Sequence, residues 1–290
     1  MSPHTLPALE IKSLTKRFGT KTAVLDFNLT LAPGSFYGLL GANGAGKTTT
    51  MRMIAGLLQA DEGSISVFGH DVSKDPKAVK SITAWLPDEP LLYDKLTPLE
   101  YLEFIAGLWS VEGSVAEKRA EELLRWMDLW EERDKRCETF SRGMKQKTAL
   151  AGALLHDPKL LLLDEPFSGL DAAVARQVKE LLVEKTKEGA TIVLTTHVME
   201  IAERLAERVG IFHRGRLLAD GSLTDLRAQA GQIDGSLEDI FIQLVDDASV
   251  GSPALCSIAS LCPAASFGLP DIKFVCRGGS VDLVRKCRVG

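Results

Sequence analysis

The chain has 290 residues, of which 45% are hydrophobic and 25% charged, and its formal net charge is −5. This balance suits a globular protein with a substantial core, and it argues against a large basic surface of the kind that holds nucleic acid. The N-terminus lacks a basic-then-apolar signal segment, and no run of about 20 apolar residues is available to cross a bilayer, so the expected chain stays in the cytoplasm.

Residues 9–31 alternate in short segments, a pattern expected of antiparallel strands. Residues 35–40 (S-F-Y-G-L-L) read as a short buried strand, and 47–58 as a helix. Between them stands G-A-N-G-A-G-K-T, which fits the phosphate-binding pattern G-x-x-x-x-G-K-[ST]. The glycines let backbone N–H groups close around phosphate oxygens. The phosphates then meet the helix N-terminus, where unpaired donors and the dipole favour anions. The expected phosphate-binding set is Gly41, Ala42, Asn43, Gly44, Ala45, Gly46, Lys47, Thr48 and Thr49. Lys47 reaches the β- and γ-phosphates, and the Thr48 hydroxyl holds Mg²⁺.

Further along, S-I-S-V-F-G reads as a strand, and residues 82–86 as another, followed by P-D-E-P-L-L-Y-D-K-L-T with Asp88 near its start. From 97 to about 138 apolar residues recur at helical spacing, first in P-L-E-Y-L-E-F-I-A-G-L-W and again over 115–129. Phe140 to Lys147 reads F-S-R-G-M-K-Q-K, with Ser141 as the N-cap of a helix to about residue 156. The sequence L-L-L-L-D-E-P then points to a central parallel strand, buried on both faces, with carboxylates at its C-terminal edge. Asp164 is placed to hold Mg²⁺ through water, and Glu165 to orient or deprotonate an attacking water. S-G-L-D follows at 168–171, and the strand 190–196 leads into His197. From 160 to 217 strands alternate with helices as in a parallel sheet. Residues 221–245 look like closing helices, the last of them amphipathic (L-E-D-I-F-I-Q-L-V).

The tail, 246–290, differs in kind. It holds Cys256, Cys262, Cys276 and Cys287, four of the five cysteines. Residues 248–270 carry no charge but three prolines, which argue against a membrane helix. The cysteine spacings match no C-x-x-C pair, so zinc is not expected, and a cytosolic setting argues against disulfides. The tail is expected to be disordered or an extension with no assigned role.

The phosphate loop, F-S-R-G-M-K-Q-K, the acidic strand, S-G-L-D and the histidine-ending strand occur in the order found in the ATP-binding subunits of ABC transporters, which this chain resembles over about residues 9–245. The resemblance implies an α/β fold: a P-loop NTPase core with a parallel sheet, an antiparallel β subdomain and an inserted α-helical subdomain at about 92–140. It implies ATP and Mg²⁺ as cofactors and ATP hydrolysis as the activity. Phe18 sits where an aromatic side chain stacks on adenine. Ser141 and Gly143 match positions that contact the γ-phosphate held by the opposite subunit, so a homodimer with head-to-tail ATP sandwich is implied. Residues 168–171 match a loop that meets the partner copy, and His197 matches a histidine that hydrogen-bonds the γ-phosphate.

Arg142 and Met144 replace the usual residues of L-S-G-G-Q, and Asp88 stands where a glutamine often contacts Mg²⁺. All three resemble the ABC-2-type exporter branch. A carboxylate at 88 can still meet Mg²⁺, directly or through water. The membrane-spanning permease subunits would be separate chains, and this subunit would sit on the inner face of the cell membrane. A soluble, non-transport ABC-type ATPase is the alternative. It is disfavoured because the stretch between Asp88 and Ser141 is too short for the long coiled coil of the repair members, and because only one ATPase unit is present.

Overall fold

The computed structural model describes residues 6–90, 92–231, 234–250, 273–277 and 280–284. They fall into two units, Met1–Ala248 and Ser249–Gly290. In the first unit, β1 (Leu9–Phe18), β2 (Lys21–Leu31), β4 (Glu62–Val67) and β5 (His70–Asp71) form an antiparallel sheet in the order β2-β1-β4-β5. Burial alternates along the second half of β2 with the period of two expected for a sheet with one covered face, whereas register shifts break the alternation in β1.

The second sheet positions the site. It contains β3 (Phe36–Leu40), β6 (Thr83–Leu86), β7 (Leu160–Asp164), β8 (Thr191–Thr196), β9 (Arg208–His213) and β10 (Arg216–Gly221), in the order β10-β9-β3-β8-β7-β6. All pairings are parallel except β9 with β10, which adds an antiparallel edge. Every residue of β3, β7 and β8 is buried, as a sheet covered on both faces requires. Alternation divides β7 between two cores. Leu160 and Leu162 face the antiparallel sheet, whereas Leu161 and Leu163 face the helical insertion. Truncating any of these four to Ala costs about 2–5 kcal/mol by cavity formation.

Helix α1 (Lys47–Ile54) follows β3. It is shorter than the 47–58 periodicity suggests, because Gly56 turns left-handed (φ +67°) and the Leu57 N–H closes back on the Arg52 carbonyl. Helix α2 (Pro76–Ile82), opened by its proline, was not anticipated from the pattern. The helical insertion contains α3 (Pro98–Leu108), capped by a Thr97–Glu100 capping box, and α4 (Gly113–Trp126). The 115–129 periodicity overruns α4 because Asp128 adopts φ 52° and stops it. Helix α5 (Arg142–Leu154) starts at an N-cap serine, as expected, and packs on α3 at Gly152, where a Cβ would lie 2.7 Å from the Tyr101 ring. Helices α6 (Ala172–Lys187) and α7 (Met199–Leu205) separate the later strands.

Helix α8 (Leu223–Gln229) and α9 (Leu237–Val250) close a third core with β9 and β10 through Leu226, Leu237 and Ile240. Helix α9 runs to Val250, past the expected domain limit at residue 245, and the first unit ends at Ala248. Within the tail, β11 (Lys273–Arg277) and β12 (Ser280–Val284) pair antiparallel. Residues 246–250 of the tail belong to α9, and apart from these and the two strands the tail lies outside the described residues.

Candidate functional site

Strand register assembles the site. Leu40 pairs with Thr196, Asp164 with Thr195, and Leu86 with Leu163. The C-terminal ends of β3, β8, β7 and β6 therefore lie side by side, and the phosphate loop, His197, Glu165 and Asp88 follow these ends in that order. Open α/β sheets bind ligands along such an edge.

A cleft opens there, lined by Phe18, residues 43–49, Asp88, Asp164 and Glu165, together with Lys21 and Ala23. The loop's course depends on two glycines. At Gly46 (φ +116°) a Cβ would lie 2.3 Å from the Ala23 carbonyl oxygen, and at Gly41 it would lie 2.3 Å from that of Phe212. Gly46 is also the N-cap of α1, and no side chain caps the helix. The first N–H groups of α1 are thus left for an anion.

Lys47 is buried at 6% exposure, and its ammonium donates to the Gly41 carbonyl at 2.6 Å. It lies 3.9 Å from Glu165 Oε1. Burial lowers its pKa, against the opposing fields of Glu165 and Asp164.

Asp164 is 2% exposed at the end of β7. Thr48 Oγ1 donates to its Oδ2 at 2.7 Å, and Thr195 Oγ1 donates to its Oδ1. Glu165, the next residue, holds a left-handed backbone (φ 48°). Its N–H donates to the Thr195 carbonyl, and its carbonyl accepts from the Ser168 N–H, both at 3.0 Å. Its Oε1 meets His197 Nδ1 at 2.9 Å. His197 is half-exposed and stands beside Glu165 rather than among the cleft-lining residues.

Among the described residues no group of three or more His, Cys, Asp or Glu forms a metal cage. The Thr48 hydroxyl and the Asp164 carboxylate nevertheless form a pair of hard oxygen donors. Asp88 adds a buried Oδ1 without a hydrogen-bond partner. That donor set fits a small divalent cation completed by water and phosphate oxygens.

Phe18 ends β1 half-exposed at the cleft rim, with Lys16 Nζ 5.5 Å from its ring centroid. An open aromatic face suits a base. Ser141 and Gly143 are not brought into this cleft. Ser141 Oγ caps α5 by accepting from the Met144 N–H at 3.3 Å, and Gly143 lies close to Leu170. Lys21, Ala23 and Thr195 were missed by the sequence reading. Lys21 follows a turn with no motif, and Thr195 looks like any other buried strand residue until the register sets it against Asp164.

Fold and cleft together define a P-loop nucleoside-triphosphatase. An ABC transporter family model matches residues 24–168. The chain is 36% identical over 243 residues to the ABC-type transporter ATP-binding protein EcsA of Bacillus subtilis, covering 82% of this chain and 97% of that one. It is 35% identical over 231 residues to the daunorubicin/doxorubicin resistance ATP-binding protein DrrA of Streptomyces peucetius, covering 80% and 70%. A solved ATP-binding subunit of an ABC transporter superposes with a TM-score of 0.79 at 34% identity, covering 82% of this chain and 99% of that one. A dimeric ATP-binding cassette bound to ADP and Pi, in a post-hydrolysis state, gives 0.68 at 25% identity, covering 74% and 98%. The chain belongs to the ABC transporter ATP-binding family, and its activity is ATP hydrolysis coupled to transport.

Proposed function

We propose that the cleft takes ATP with Mg²⁺ and that two copies close head-to-tail over two ATP molecules. Phe18 stacks on adenine, residues 41–49 wrap the phosphates, and Lys47 neutralises charge between the β- and γ-phosphates. Thr48, Asp164 and Asp88 hold the cation, which when bound spreads the charge that develops on the phosphate oxygens. Glu165 orients a water in line with the γ-phosphorus and accepts its proton as the new P–O bond forms. The bridging P–O bond breaks and its electron pair stays on ADP. His197 positions Glu165 through the 2.9 Å contact and donates towards the γ-phosphate. Ser141 and Gly143 complete the cleft of the second copy.

The ATPase drives separate membrane-spanning permease subunits from the inner face of the cell membrane. Export is the favoured direction, given drug-resistance relatives such as DrrA and the residues Asp88, Arg142 and Met144. Among the described residues no helix is long and apolar enough to cross a membrane. Nucleic acid is not a proposed partner.

The observation that carries this reading is the meeting of Lys47, Asp164 and Glu165 in one cleft at an uncapped helix N-terminus. Lys47→Ala tests it. Losing a charge-assisted contact of about 1.5–3 kcal/mol should weaken ATP binding roughly 10- to 100-fold and abolish turnover. Equilibrium binding and phosphate release on purified protein measure both, and wild-type values for the two would refute the assignment.

A further inference from the structure

Two of the departures from the commoner family pattern touch each other. Arg142 Nη2 lies 3.7 Å from Asp88 Oδ1 and donates to Ser168 Oγ at 3.1 Å. The side chain also packs against Gly169, so that a Cβ there would stand 2.8 Å from Arg142 Cδ and 2.9 Å from Nε. One side chain therefore joins three segments: the stretch after β6, the start of α5 and the loop after β7. Asp88 lines the nucleotide cleft, whereas the neighbours of Arg142, Ser141 and Gly143, do not.

The Asp88–Arg142 contact is made to be exchanged. At 3.7 Å it is an ion pair beyond hydrogen-bond reach, and Asp88 Oδ1 is left without a hydrogen bond. Asp88 Oδ1 itself is buried, but the two side chains as wholes are about half-exposed, at 47% and 57%, a setting in which ion pairs are weak. A divalent cation in the cleft offers Asp88 a stronger partner.

Resting on the proposed metal site, we propose that Arg142 is a positioning residue that competes with the nucleotide-bound cation for Asp88. While the cleft is empty, Asp88 ties the start of α5 to its own cleft through Arg142. When the cation engages Asp88, Arg142 keeps only the 168–171 loop, and the Ser141–Gly143 turn is released to meet the second copy.

The competition has a sign. Without the guanidinium, Asp88 faces the phosphates uncompensated, so metal-free ATP binds more weakly and the gain from metal grows. The quantity to measure is the ratio of dissociation constants in EDTA and in Mg²⁺, for a fluorescent non-hydrolysable ATP analogue on the full chain. Arg142→Gln should raise this ratio about three- to tenfold, and Arg142→Lys, which keeps a cation, should stay near wild type. In chains that also carry Asp88→Gln, Arg142→Gln should leave the ratio unchanged. Thermal melting of each variant checks folding, and Arg142→Lys against Asp88→Gln supplies the comparison if Arg142→Gln does not fold. A ratio insensitive to Arg142, or shifted equally with and without Asp88, would overturn the competition while leaving the metal site standing. A wild-type ratio of one would overturn the metal site itself.

Discussion

In the proposed mechanism the chemistry turns on Glu165, and its backbone is unusual. A non-glycine residue at φ 48° carries strain on the order of 1 kcal/mol or more. The two backbone hydrogen bonds to Thr195 and Ser168 hold it there and aim its carboxylate into the cleft. Lys47, 3.9 Å from Oε1, and His197, in contact with the same oxygen, constrain the carboxylate further. Because His197 is half-exposed, removing it leaves no cavity to collapse. His197→Ala is therefore expected to slow single-turnover hydrolysis by roughly 10²-fold, because Glu165 loses the contact that positions it as the base, with a smaller loss of ATP affinity than Lys47→Ala shows. A wild-type single-turnover rate would remove His197 from the mechanism.

At the scale of elements, the strands that carry the site were the most legible part of the sequence. The run Leu160–Leu163 has no polar residue, so only a doubly covered strand suits it, and the acids that follow must lie at the sheet edge. The helix limits were less legible, because single left-handed residues decide them. Gly56 ends α1 and Asp128 ends α4, and neither interrupts the apolar period. The Arg142–Asp88 contact was not legible at all. Both residues stood out in the sequence, but they lie far apart along it and only the fold brings them together.

His156, just beyond α5, shows what such packing does to a titrating group. Its ring stacks on Trp109 at 4.3 Å, and burial, more than any other cause, lowers its pKa. The unfolded chain therefore takes up this proton more readily than the folded one. The stabilisation is complete above the unfolded value of about 6.5, and it is lost as pH falls from there through the lower folded value. His156→Phe keeps a ring on Trp109 and removes the titration. Its melting temperature should fall less than that of wild type between about pH 7.5 and 5.5. Parallel pH profiles for the two proteins would contradict this account of His156.

At the scale of the whole molecule, the proposed ATP sandwich requires more than the cleft within one chain. That cleft supplies the phosphate loop, the carboxylates and an aromatic face, whereas Ser141 and Gly143 lie outside it. The central claim is that a second copy closes the cleft with those two residues. Size-exclusion chromatography of Glu165→Gln with ATP and Mg²⁺ tests it most directly. The amide keeps the shape of the side chain but accepts no proton at neutral pH, so ATP stays intact and holds two copies together. The control is Glu165→Gln with Ser141→Asp. Aspartate still caps α5, which preserves a contribution of about 1 kcal/mol, but it places a negative charge against the γ-phosphate of the other copy. The account predicts a dimer for Glu165→Gln that forms only with ATP, and a monomer with ATP bound once Ser141→Asp is added. A Glu165→Gln protein that binds ATP without hydrolysing it and still elutes as a monomer would contradict the shared cleft.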